Sequence, residues 1–171
     1  MSDIKSQFVR HIPQLRRYAR ALVNGADVAD DLVQDALERA WARRDQWDTR
    51  REIKPWLFTV LHNVYVNDVR RYKRMPSMVD YPELENVAAA SSDEPMELTI
   101  TDLQRALDEI SEEHREVLLL VGLEQFSYKE AAEVLGVPLG TVMSRLTRAR
   151  KRLRELMTDP TMPMAVIRRV K

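Results

Sequence analysis

Between residues 139 and 157 the sequence reads LGTVMSRLTRARKRLRELM. Wound at about 100° per residue, Val142, Leu146, Ala149 and Leu153 fall within one narrow arc. Ser144, Thr147, Arg148 and Lys151 fall on the opposite one. Small hydroxyls and cations are the groups that hydrogen-bond base edges and phosphates in a DNA major groove. Arg145, Arg150, Arg152 and Arg154 flank that face, placed to meet backbone phosphates, which supply affinity without sequence information. Positions 144–154 contain no acid, whereas a merely solvated face mixes both signs. An ordinary solvated amphipathic helix is the alternative reading.

Two further constellations carry weaker chemistry. Asn63, Asn67, Arg70, Arg71 and Arg74 form a polar stripe on another helical segment. Asparagine can read base edges, and arginine can hold phosphate or stack on bases. Asp31, Gln34, Asp35 and Glu38 share one face of an earlier segment. An acidic face repels phosphate, so it suits a basic protein partner or plain solvation. For catalysis there is little. His11, His62 and His114 are far apart with no ligand spacing, cysteine is absent, and no glycine-rich phosphate cradle or nucleophile elbow occurs. No enzyme, metal site or cofactor is expected.

Helices must position these groups. Ile12, Leu15, Ala19 and Leu22 recur at helical spacing, and Asn24-Gly25 stops the segment. Asp27 is expected to cap a second helix whose stripe is Val28, Leu32, Ala36, Leu37, Ala40 and Trp41. A third starts near Pro55, with Ile53, Trp56, Leu57, Val60, Leu61 and Val64 facing inward. Periodicity then lapses over 75–97, where Pro76, Pro82, Pro95 and repeated acids predict a flexible linker. It resumes with Ile100, Leu103, Leu107 and Ile110; Ser111 can cap the next helix, which holds the apolar run Val117–Val121. Ser127-Tyr128-Lys129-Glu130 is a capping box. The helix it opens stops at Gly136, and the long cationic helix follows. Two helices across so tight a turn make a helix-turn-helix.

Composition agrees with an all-α protein of two small domains, 1–74 and 98–158, with a tail at 159–171. Only 4 of 171 residues are glycine and 6% are aromatic. The formal net charge of zero conceals segregation: 1–75 carries +5, 76–113 carries −10 and 114–171 carries +5. Two basic blocks about an acidic connector suit two surfaces that meet polyanions. No signal segment or stretch of about 20 apolar residues appears, so a cytoplasmic protein without a membrane span is expected.

Three stretches resemble the extracytoplasmic-function sigma factors of bacterial RNA polymerase. Asp30-Asp31-Leu-Val-Gln-Asp-Ala-Leu-Glu-Arg-Ala-Trp41 resembles the family segment that binds the polymerase β′ clamp helices. Pro55-Trp56-Leu-Phe-Thr-Val-Leu-His-Asn63 with Asn67-Asp68-Val-Arg-Arg71 resembles the segment that opens and reads the −10 element. Ser127 to Gly136, Gly140-Thr-Val-Met-Ser-Arg145 and Arg148-Ala-Arg150 resemble the helix-turn-helix for the −35 element. The resemblance implies that Asp31, Gln34, Asp35 and Glu38 bind polymerase. It assigns Asn63, Asn67, Arg70, Arg71 and Arg74 to the −10 element. The −35 element falls to Thr141, Met143, Ser144, Arg145, Thr147, Arg148 and Lys151. Met143 departs from the arginine or lysine common there, so the −35 preference does not transfer. The implied partners are core RNA polymerase (β′ clamp helices and β flap), promoter DNA and an anti-sigma factor, and the branch implied is that of the proteobacterial general stress response. A dimeric helix-turn-helix regulator would explain 127–155 but not the acidic face or 53–74. A partner-switching decoy would not need an intact basic face.

Overall fold

A computed structural model describes residues 4–74 and 100–158, the side chains of 72–74 excepted. The expected linker 75–97 and tail 159–171 lie outside the described residues. Every regular element among the described residues is helical, as expected. The first block is α1 (Ile4–Leu22), α2 (Ala26–Ala42), a 3-10 turn (Arg44–Gln46) and α3 (Ile53–Arg74). The second is α4 (Ile100–Asp108), α5 (Glu112–Leu118), a π-helical turn (Leu119–Leu123), α6 (Tyr128–Leu135) and α7 (Leu139–Thr158).

In the first block, α1 buries Leu15, Tyr18, Ala19 and Leu22, and α3 buries Ile53, Leu57, Phe58, Leu61, Val64 and Tyr65, each set on one helical face. The start of α2 differs from expectation. Gly25, at φ 97°, is the N-cap and offers no side chain, and Asp27 lies inside the first turn. Glycine reaches positive φ without a Cβ penalty, so the chain turns there and the helix begins before Asp27 could cap it. The buried stripe of α2 is also rotated, to Ala29, Leu32, Val33, Ala36 and Ala40. Val28 and Trp41, expected inside, are exposed at 56% and 36%. The third helix begins at Ile53, two residues ahead of Pro55.

In the second block the capping box forms as read. The Ser127 N–H donates to Glu130 Oε2 at 2.8 Å and the Glu130 N–H to Ser127 Oγ at 3.2 Å. Gly136, left-handed at φ 63°, ends α6, with its N–H on Glu133 O at 3.3 Å and that of Val137 on Ala132 O at 3.1 Å. Those bonds satisfy carbonyls that the helix end would otherwise leave open. Helix α7 buries Val142, Leu146, Ala149 and Met157, and packs on α5 and α6. Two expectations fail. Ile100 and Leu103 of α4 are exposed at 90% and 41%, and the run Val117–Val121 leaves α5 for the π-helical turn.

The two blocks are packed together around one continuous apolar core. Phe58 of α3 meets Phe126 edge-on at 5.0 Å between centroids, and Tyr18 meets Phe58 at 5.3 Å. Burial pushes the Tyr18 phenol pKa well above its ordinary value, and its hydroxyl has no hydrogen-bond partner among the described residues.

The capping box makes a local prediction. Its hydrogen bonds from the Ser127 hydroxyl and N–H hold the Glu130 carboxyl below the ordinary carboxylate range. A carboxyl depressed in the folded state adds stability above its unfolded pKa and loses it as pH falls through the folded value. Ser127→Ala should cost about 1 kcal/mol in denaturant titrations at neutral pH. The gap between variant and parent should narrow below pH 4, about the ordinary range.

Candidate nucleic-acid interface

Helix α7 presents the expected face. Ser144, Thr147, Arg148 and Lys151 are exposed and Met143 is 50% exposed, while Thr141 is half-buried. The hydroxyls are oriented by their own helix: Ser144 Oγ donates to Thr141 O at 3.1 Å and Thr147 Oγ1 to Met143 O at 2.9 Å. Each keeps oxygen lone pairs able to accept a hydrogen bond from outside. Arg148, Arg150, Lys151 and Arg154 have no carboxylate partner among the described residues. Arg145 is different: its Nη2 lies 3.0 Å from Glu113 at the start of α5, and its side chain is only 21% exposed. It ties the first turns of α7 to α5. Arg152 lies 3.7 Å from Glu155.

On α3, Asn63, Asn67, Arg70 and Arg71 are exposed, two turns of the helix presenting one polar stripe. The side chain of Arg74 lies outside the described residues. His62, next to Asn63, faces inward and meets Glu116 of α5 at 2.5 Å. Adjacent residues of one helix thus serve the surface and the seam between blocks.

On α2, Asp31, Gln34, Asp35 and Glu38 are all exposed. Gln34 Nε2 donates to Glu38 Oε1 at 3.1 Å. The first three line a cleft of about 510 Å³ between α2 and α3, with Val28, Tyr65, Asp68 and Val69. Sequence reasoning did not put Asp68 here. It brings a third carboxylate to the rim, while Val28 and Val69 supply an apolar floor. Its signal was its place one turn after Val64, on the α3 side that meets α2.

Sequence reasoning did not find the polar seam either. Glu124, 2% exposed, ends the π-helical turn and faces the first block. Arg17 of α1 binds its carboxylate twice, Nε to Oε1 and Nη2 to Oε2, both at 3.0 Å. The bond to Glu124 raises the Arg17 guanidinium pKa further. Lys54 Nζ donates to the Glu124 carbonyl at 2.7 Å and lies 4.0 Å from its carboxylate. It also sits 4.6 Å from the centre of the Phe126 ring. Arg115, buried, donates to the carbonyls of Leu22 (2.9 Å), Asp108 (2.9 Å) and Ile110 (3.1 Å).

The described arrangement is therefore an acidic cleft and a polar stripe on the first block and a cationic helix-turn-helix on the second, with no His/Cys/Asp/Glu group fit for a metal among the described residues. Family patterns match both blocks: the sigma2 domain of PhyR over residues 8–62 and sigma-70 region 4 over residues 100–153. The sigma factor EcfG of Rhodopseudomonas palustris is 34% identical over 91% of this chain and 85% of its own. The chain belongs to the extracytoplasmic-function RNA polymerase sigma factors. The sigma factor SigM of Mycobacterium tuberculosis is 33% identical over 88% of this chain and 74% of its own. The sigma factor RpoE of Bartonella quintana, solved with the anti-sigma factor NepR, superposes with a TM-score of 0.74. It is 34% identical and covers 94% of this chain and 99% of its own. A sigma factor serves core RNA polymerase in initiating transcription at promoter DNA and is a transcription regulator. No helix among the described residues is long and apolar enough to cross a membrane.

The geometry sorts this sigma factor's arginines into structural and free ones. Arg115→Ala should destabilise the fold by about 3 kcal/mol, because two buried carbonyls and a part-buried one lose their donor. Arg148→Ala should change stability by no more than about 0.5 kcal/mol. Urea titrations of the two variants beside the parent check the division.

Proposed function

We propose that this sigma factor docks on the β′ clamp helices of core polymerase through Asp31, Gln34, Asp35 and Glu38. In this reading the outward face of α7 reads a −35 element, the α3 stripe from Asn63 to Arg74 holds the −10 element, and the region around the helix-turn-helix meets the β flap. The observation that carries it is the separation of sign: exposed carboxylates gather on α2 and exposed cations on α7, one block apart. Phosphate is repelled by the first and attracted by the second, so one face suits protein and the other DNA. Asp68 and the exposed Val28 extend the protein-binding side, giving it an apolar contact among the charges. The site of action is the cytoplasm, where core polymerase works.

The likeness to EcfG and to a sigma factor solved with NepR supports a stress-response role under an anti-sigma factor. A segment within 75–97, rich in acids, suits a basic polymerase channel.

Asp35→Arg tests the polymerase face. The side chain is exposed, so the fold should survive within about 0.5 kcal/mol while native-gel assembly with core polymerase is lost. Normal assembly by the folded variant would leave Asp35 only a solvated carboxylate.

The α7 face separates two kinds of contact. Arg148 is central, so Arg148→Ala in holoenzyme should cost about 1–3 kcal/mol on a preferred promoter and flatten preference at one or two −35 positions. Arg154 is peripheral, so Arg154→Ala should weaken all promoters alike and lower the salt slope by about one. Equal losses across promoter variants for Arg148→Ala would make α7 a phosphate clamp and not a reader.

A further inference from the structure

Helix α7 is not uniformly cationic on its open side. Leu139 is 48% exposed and Met143 50%, and residues four apart lie only about 40° apart round a helix. The two form one apolar strip where α7 begins. Arg145 is about 160° round from Met143, and Glu113 of α5 closes that side at 3.0 Å. Arg150 and Arg154 return to within about 20° of Met143. Both are exposed, and neither has a carboxylate partner among the described residues. One flank thus runs from apolar groups in its first turns to unpaired cations in its last. A single exposed apolar residue is ordinary, but this strip shares its flank with cations that attract phosphate. A cover that suits the whole flank must be anionic along one edge and apolar at one point. The DNA major groove is such a cover: phosphates line its rim, and the C5-methyl of thymine is the apolar group on its floor. The first residues of a recognition helix reach base edges, while contacts to phosphate fix its register.

We propose that Met143, backed by Leu139, packs on a thymine C5-methyl group in the −35 duplex and so sets the base preferred at that position. The inference rests on the assignment of α7 to the −35 element and adds the chemistry of one of its contacts. Ser144 and Arg148 carry donors and acceptors and select by hydrogen bonds. Met143 has no donor, so it cannot bond the guanine N7 and O6 acceptors that an arginine takes. Its unbranched, polarizable thioether can instead follow an irregular apolar surface. Selection then comes from withdrawing a methyl group from water, an effect worth about fourfold in affinity. Uracil keeps every hydrogen-bonding atom of thymine and lacks only that methyl, so exchanging one for the other isolates the contact. The same exchange leaves the phosphates, and with them the part of binding owed to Arg150 and Arg154, as they were.

Holoenzyme made with the full chain is first offered promoter duplexes randomised over the −35 element, and the tightest-bound sequence is kept. Each thymine of that element, on either strand, is then replaced singly by deoxyuridine and the Kd measured. The parent should lose about fourfold at one thymine. Met143→Ala should bind the thymine duplex about fourfold more weakly and be indifferent to deoxyuridine at that position, the two losses being one contact counted from its two sides. Met143→Leu, apolar and of similar volume, should keep the sensitivity to deoxyuridine. The proposal is overturned if the selected element holds no thymine, if no single deoxyuridine moves the parent, or if the penalty persists undiminished in Met143→Ala. Should circular dichroism show Met143→Ala misfolded, Met143→Gln, polar and of similar length, takes its place with the same expected indifference. Arg148→Ala on the same duplexes separates this contact from the assignment beneath it. If Arg148→Ala weakens binding while no deoxyuridine matters, the methyl contact alone falls. If neither has any effect, α7 does not read the −35 element and the assignment falls with it.

Discussion

A carboxylate withdrawn from water organises the middle of this molecule. The effective penalty for burying one such ion is several kcal/mol even after relaxation, and it is offset only by geometry. Here the geometry comes from the backbone. The Glu124 N–H reaches back to Leu119 O at 3.0 Å and that of Phe126 to Leu120 O at 3.0 Å, so the chain widens from an α- to a π-helical turn. Gln125 then takes φ 59° and turns the strand-like exit away. The widened turn aims Glu124 into the first block, and the reversal at Gln125 aims Phe126 at Phe58. A regular helix through these residues would rotate the acid by a further step per residue and lose Arg17.

The same dependence runs in the other direction. Leu22 closes α1, and its carbonyl has no intrahelical donor, as at any helix C-terminus. Arg115 of the second block supplies one at 2.9 Å. Tyr65 of α3 is pressed beneath α5, where burial, with Glu112 and Glu116 nearby, pushes its phenol pKa up. Each block thus borrows donors or cover from the other. These charged contacts ring an apolar core to which both blocks contribute.

Local features were legible in the sequence because they depend on neighbours in the chain. The capping box at Ser127, the stop at Gly136 and the two faces of α7 each need only a few residues, and each stands where the spacing placed it. Periodicity failed where it had to report what covers a face. Val28, Ile100 and Leu103 repeat at helical spacing yet remain exposed, because spacing defines a stripe and says nothing of a partner for it. Arg145 looked like its neighbours on the cationic face, and only the packing of α5 brings Glu113 to it. Glu124 did leave a trace: a lone acid in the apolar run from Val117 to Phe126, with no cation three or four residues away. Such an acid has to find its counter-charge across the fold, and the identity of that partner is tertiary information.

The packing of the two blocks leaves the candidate faces open. Asp31 and Asp35 on α2, Asn63 and Asn67 on α3, and Arg148 and Lys151 on α7 are all open to solvent while the seam is shut. One groove touches both blocks: Ile12, Arg16 and Arg20 of α1 face Ile100, Leu103 and Leu107 of α4 across it. The exposed Ile100 and Leu103, which looked like failures of a helical stripe, are apolar surface on that groove. Charged groups rim the seam, while apolar ones fill its core and line the groove beside it.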